Sequence, residues 1–173
     1  MGASFASTDM SGFNIDAWHD FFTAQAAAGA ALAGLVFVSI SINLNRLLAA
    51  TAVQGRAVEA LLLLTSLLIV GLLALIPDQG ESALGIEFIV YGFVLTIALI
   101  RSSVGIANTG NATRLQHLFR VFLGLLASLP IVIAGISLMS GDGGGLYWIA
   151  GASIAAIVAG MIGAWVLLVE ILR

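Results

Sequence analysis

The chain has no cysteine and no lysine, only two prolines, and charged residues at just 9% of its length. The lack of cysteine excludes disulfides, thiolate metal centres and cysteine nucleophiles together. The scarcity of charge excludes more. A soluble domain carries roughly 25% charged residues, which it needs to cover a water-facing exterior. With 61% apolar residues and a mean hydropathy of +1.14, the predicted solvent for most of this surface is lipid. A net charge of −3 leaves no basic stripe to neutralise phosphates, which argues against a nucleic-acid partner. Met1–Ser11 has no basic residue either, and the apolar run that follows is too long for a signal-peptide core. Residues 1–15 are therefore expected to form a short flexible tail.

What the sequence does contain is long apolar runs. A bilayer core of about 30 Å needs roughly 20 helical residues at 1.5 Å each. Five segments qualify: Thr23 to Leu44, Ala57 to Ile76, Ala83 to Ile100, Leu118 to Met139 and Leu146 to Val169. Pro77, with Asp78-Gln79-Gly80 behind it, stops the second, and Gly141-Asp142-Gly143-Gly144-Gly145 turns the fourth into the fifth. The expected fold is an all-α membrane protein in which residues 16–173 form one five-helix transmembrane domain.

Charge placement supports that count. Arg46 and Arg56 fall in the first connection, Arg101, Arg114 and Arg120 in or beside the third, and Arg173 at the end of the sequence. Five spans put all of them on one side. Asp9, Asp16, Asp20, Asp78, Glu81, Glu87 and Asp142 fall towards the other. Positive-inside bias then places the N-terminus outside and the C-terminus in the cytoplasm. Asp16-Ala17-Trp18-His19-Asp20-Phe21-Phe22 suits the headgroup layer, as a short interfacial helix or first helical turn.

Few residues offer chemistry. Gln25, Gly29, Leu32, Val36, Ser39 and Asn43 share one face of the first span, polar at both ends and apolar between. In a ring of subunits that face would give polar vestibules around a hydrophobic constriction at Leu32 and Val36. The alternative is helix packing, with small residues admitting a neighbour and polar ones bonding across to it. Glu87 sits a few residues into the third span with Tyr91 one turn on, a candidate for cation or proton handling. Glu59 opens the second span at the depth of Arg46, Arg56, Arg101 and Arg120, which favours an ion-pair cluster. Gly151, Ala155, Ala159 and Gly163, with Ala152, Ala156, Gly160 and Ala164 beside them, make two small-residue rows suited to close helix contact. Pro130 is a candidate kink.

His19 and His117 lie at span ends, so no haem or chlorophyll ligand is expected, and no metal site or other cofactor. Glu-x-x-His, GxGxxG and GxSxG motifs are missing, so the protein is not expected to be an enzyme. Asn111-Ala112-Thr113 matches a glycosylation acceptor by pattern, but falls on the cytoplasmic side of this topology.

Trp18-His19-Asp20-Phe21-Phe22 and the run from Gly29 to Leu44 resemble the start of a group of small bacterial membrane proteins, some labelled modulators of the FtsH protease. The likeness covers the first quarter of the chain and implies the bacterial cytoplasmic membrane, without site residues to carry over. The leading functional expectation is a homo-oligomer forming a small-ion pore lined by the first span. The alternative is an accessory or scaffolding subunit of another membrane protein, such as a protease or an energy-transducing complex.

Overall fold

The computed structural model describes residues 12–45, 51–107 and 114–172. A 3-10 turn, Ile15–Trp18, leads straight into α1 (His19–Ile42). Four more helices follow: α2 (Thr51–Ala74), α3 (Glu81–Ala107), α4 (Arg114–Ser140) and α5 (Tyr147–Leu172). Among the described residues there is no strand, and all five helices are long and apolar enough to cross a membrane.

Helix ends differ from the predicted spans in both directions: α1 begins at His19 rather than Thr23 and ends at Ile42 rather than Leu44, whereas most other ends on the arginine side run past the prediction. At the arginine end α2 begins at Thr51 rather than Ala57, α3 continues to Ala107 rather than Ile100, and α4 starts at Arg114 rather than Leu118. Hydropathy marks where a chain enters hydrocarbon, whereas the backbone ladder can continue into the headgroup layer. At the opposite end the stops are where turn chemistry put them. Pro77 follows the last turn of α2, and Asp78 takes φ 55°, a left-handed position that Asp tolerates better than most residues. Gly141, Gly143, Gly144 and Gly145 all have positive φ, which is why this turn is built of glycine. Ser137 stitches it, donating its hydroxyl to the Asp142 carbonyl and accepting from Gly145 N–H at 2.8 Å.

The expected flexible tail is tied down from Gly12 onward. Gly12 O accepts from Leu146 N–H at 2.8 Å, and the Trp18 ring meets Tyr147 edge-on at 4.9 Å. Asn14 caps the 3-10 turn, accepting from Ala17 N–H. The remainder of the tail, Met1–Ser11, lies outside the described residues.

Successive helices pack antiparallel. α2, α3, α4 and α5 each lie on the next, and α5 returns to α2, giving a closed four-helix arrangement with α1 docked outside it on α2. Small residues set the closest approaches. A Cβ on Gly29 would sit 2.6 Å from Leu68 N in α2, and one on Gly92 2.6 Å from Val132 Cγ2 in α4. Gly85 and Gly135 face each other where α3 crosses α4. Of the small-residue rows in α5, Ala152, Ala156 and Ala159 are buried, Gly160 abuts the Leu64 side chain, and Gly163 faces Ala60. Those positions serve internal packing. Ala155 is half-buried, and Gly151 is open, making no such contact. Pro130 lies inside α4 without ending it.

This packing gathers Arg56, Arg101, Arg114 and Arg120 at one end of the bundle, and Asp16, Asp20, Asp78, Glu81 and Asp142 at the other. Arg46 and Arg173 lie outside the described residues. Towards the acidic end the interior is filled: Phe22, Leu84, Phe88, Ala134, Leu146 and Ile149 are fully buried. Exposed large apolar side chains are spread over all five helices, as a lipid-facing exterior requires.

Candidate functional site

The polar-ended face of α1 is the surface by which α1 docks. Gln25 is buried; its Nε2 donates to the Leu67 carbonyl of α2 at 3.1 Å, and its Oε1 lies 2.8 Å from the Ser153 hydroxyl of α5. Gly29 fits against Leu64, Leu67 and Leu68, Val36 is buried, and Leu32 packs against the same core. Near the end of the helix Asn43 Nδ2 donates to the Ser39 carbonyl at 3.0 Å, a bond within α1. From Gln25 to Val36 the face expected to line a pore is therefore packed against the rest of the same chain. The reason is steric as much as polar, since Gly29 of α1 and Gly71 of α2 each let the other helix's backbone come close.

The open space lies elsewhere. Between α2, α3, α4 and α5, towards the arginine end, is a cavity of about 270 Å³. Leu63, Leu99, Leu123 and Val166 contribute apolar wall, with Ile100, Phe119 and Ile162 exposed around it. Gly124 lines it too, with ordinary contact distance to Leu99 and room beyond. The volume is near the lower end of the roughly 300–1,000 Å³ usual for small-molecule sites.

Two polar groupings interrupt the walls. At the arginine end, α2 brings Arg56 and Glu59, α3 brings Ser103, and α4 brings Arg120. Arg120 Nε donates to Glu59 Oε2 at 3.1 Å, Nη2 donates to the same oxygen, and Ser103 Oγ donates to Oε1 at 2.7 Å. Both carboxylate oxygens are thus held from two different helices, and Arg120 and Glu59 remain only 18% and 14% exposed. Beside this grouping Ser102 ties α3 to α2, donating to the Gly55 carbonyl at 3.1 Å.

Deeper in, Thr96 Oγ1 lies 2.7 Å from the Gly92 carbonyl and 2.9 Å from Ser128 Oγ, linking α3 to α4. Arg120 and Ser128 are eight residues apart on α4, which corresponds to a depth of about 12 Å. Past Ser128 the fully buried Phe88, Leu84, Ala134 and Ile149 close the bundle, so the cavity is a blind pocket.

The ion pair expected of Glu59 is present, with Arg120 as partner; Arg101 is exposed. Glu87 is half-buried on α3, away from the cavity, and its Oε2 is buried without a hydrogen-bond partner. His19 is exposed and His117 half-buried, and among the described residues no cluster suits a metal ion. Ser103, Thr96 and Ser128 were not singled out from sequence. Their signal was present: Thr96 and Ser103 lie seven residues apart, and Arg120 and Ser128 eight apart, each pair on one helix face. No known protein family, curated protein or solved structure matches this chain.

Proposed function

We propose that this chain is a multi-pass membrane protein whose work is binding: its α2–α5 bundle takes up a small amphipathic molecule from the arginine end. The observation that carries this reading is the blind cavity of about 270 Å³, apolar along its walls and charged at one end. A ligand with a polar head and an apolar body would match both parts, with the head at the membrane surface and the body inside the bundle. Positive-inside bias assigns that end to the cytoplasm, with the N-terminus outside. The setting is the bacterial cytoplasmic membrane. A pore lined by α1 has less support, because the face it needs is engaged within the chain.

Binding gives the accessory-subunit reading something to act through, since occupancy of the pocket would bear on all four helices that wall it. The test is occupancy itself. Purified protein in nanodiscs, scanned with photoreactive amphiphiles, is expected to be labelled on the residues lining the cavity. Gly124→Leu, which places a side chain in the open volume, is expected to abolish that labelling. Labelling unchanged by the substitution would refute the assignment.

A further inference from the structure

Buried amides and hydroxyls have a fixed number of hydrogen bonds to make, and around Gln25 that number is not reached. The Gln25 amide nitrogen carries two protons. One goes to the Leu67 carbonyl of α2 at 3.1 Å, and the other has no acceptor among the described residues. The Ser153 hydroxyl has one proton for two acceptors, Gln25 Oε1 at 2.8 Å and the Ile149 carbonyl at 2.7 Å. Ser66 Oγ of α2 gives its proton to the Leu63 carbonyl at 2.6 Å and keeps both lone pairs. Gln25, Ser66 and Ser153 are only 7%, 2% and 7% exposed, so bulk water does not complete these sets.

All three residues line one void of about 10 Å³, and every other residue that lines it is buried too. It lies between α2, α4 and α5 beside Gln25 of α1, with Ala127 and Ile131 supplying the α4 wall. Gln25 and Ser153 each stand six residues on from the start of their helix, about 9 Å in from the acidic end. The void shares no lining residue with the cavity at the arginine end, so nothing about it depends on that cavity's ligand. A volume of this size holds one water and nothing larger.

We propose that the void is the site of one internal water, which accepts the second Gln25 N–H and donates to Ser66 Oγ and to the Gln25–Ser153 pair. Whichever acceptor takes the Ser153 proton, an oxygen of that pair is left for the water. Three hydrogen bonds are the usual number for a buried water. A dry void suits walls that are apolar throughout, whereas here it would strand an amide proton in hydrocarbon. A cation does not suit the site, because the unmet group is a donor and no carboxylate lines the void. The water thus adds the Ser66 side chain to the contacts by which α1 is held on the bundle.

Nuclear Overhauser contacts to water, measured by NMR on the full chain in nanodiscs with the Gln25 side-chain amide assigned, test the site. One Nε2 proton is expected to give a direct cross-peak to a long-lived water, and the proton bonded to Leu67 a much weaker one. Ala127→Val, which adds two methyl groups on the wall of the void, is expected to abolish the cross-peak. Ser66→Ala, which removes an acceptor, is expected to weaken it several-fold. Exchanging sodium for potassium in the buffer is expected to leave the amide shifts unchanged.

A wild-type protein with no water cross-peak to either Nε2 proton would overturn the site. A cross-peak at full strength in folded Ala127→Val protein would place the water outside this void and overturn the assignment. If that variant does not fold, an unchanged cross-peak in Ser66→Ala overturns it instead. A sodium-dependent shift of the amide would overturn the water in favour of a cation.

Discussion

Gln25 and Glu59 show what a polar side chain does when lipid surrounds the molecule. In hydrocarbon an unpaired amide costs several kcal/mol, so position is dictated by partners. Gln25 meets that demand with the Leu67 carbonyl and the Ser153 hydroxyl, and so pins α1 to both α2 and α5. Gln25→Ala is expected to leave Ser153 with only its intrahelical acceptor, Ile149 O, and to lower stability by about 1–2 kcal/mol, read from thermal unfolding in detergent. Val36→Asn is a sharper test of the same face. If Val36 packs in the core the substitution buries an amide and destabilises the fold by about 1–3 kcal/mol. If Val36 lines a pore, conductance changes and stability does not. Glu59 meets its demand with Arg120 and Ser103 on the cavity wall.

Helix contacts follow from glycine and alanine placement more than from polarity. α3 and α4 approach closely because Gly85, Gly92 and Gly135 put no side chain between them. Gly92→Leu would drive a side chain into Val132 and is expected to cost about 1–3 kcal/mol through overpacking. Gly151→Leu, with open space around it, is expected to be neutral within about 0.5 kcal/mol. The same denaturation assay in detergent distinguishes the two. The small-residue rows of α5 were visible as a four-residue repeat, but the repeat does not say which row meets α2. Only the rotation of the helix within the bundle settles that Ala152, Ala156 and Gly160 face inward while Gly151 does not. Helix ends were legible at Pro77 and at the Gly141–Gly145 turn, where backbone chemistry forces a stop. They were misjudged at the arginine end, where the hydrophobic signal fades before the hydrogen-bond ladder does.

At the scale of the whole molecule, the absence of cysteine makes orientation directly testable, since each single cysteine introduced is the only thiol. Cysteines at Asp16 and Asp142 are expected to react with an impermeant maleimide on intact cells, and one at Asn111 only after permeabilisation. Asp16 and Asn111 reacting alike would refute the five-span arrangement, and Asn111 reacting on intact cells with Asp16 protected would reverse its orientation. The sequence alone determined the helical class and the five segments long and apolar enough to cross a membrane. Those properties depend on totals and on the length of apolar runs along one chain. Tertiary structure alone decided that the marked face of α1 is a docking surface, and that Glu59, Ser103 and Arg120 meet around an unfilled space. A contact between residues 44 or 61 positions apart leaves no local pattern, because it depends on how helices rotate and cross, and close packing of many side chains together sets that angle.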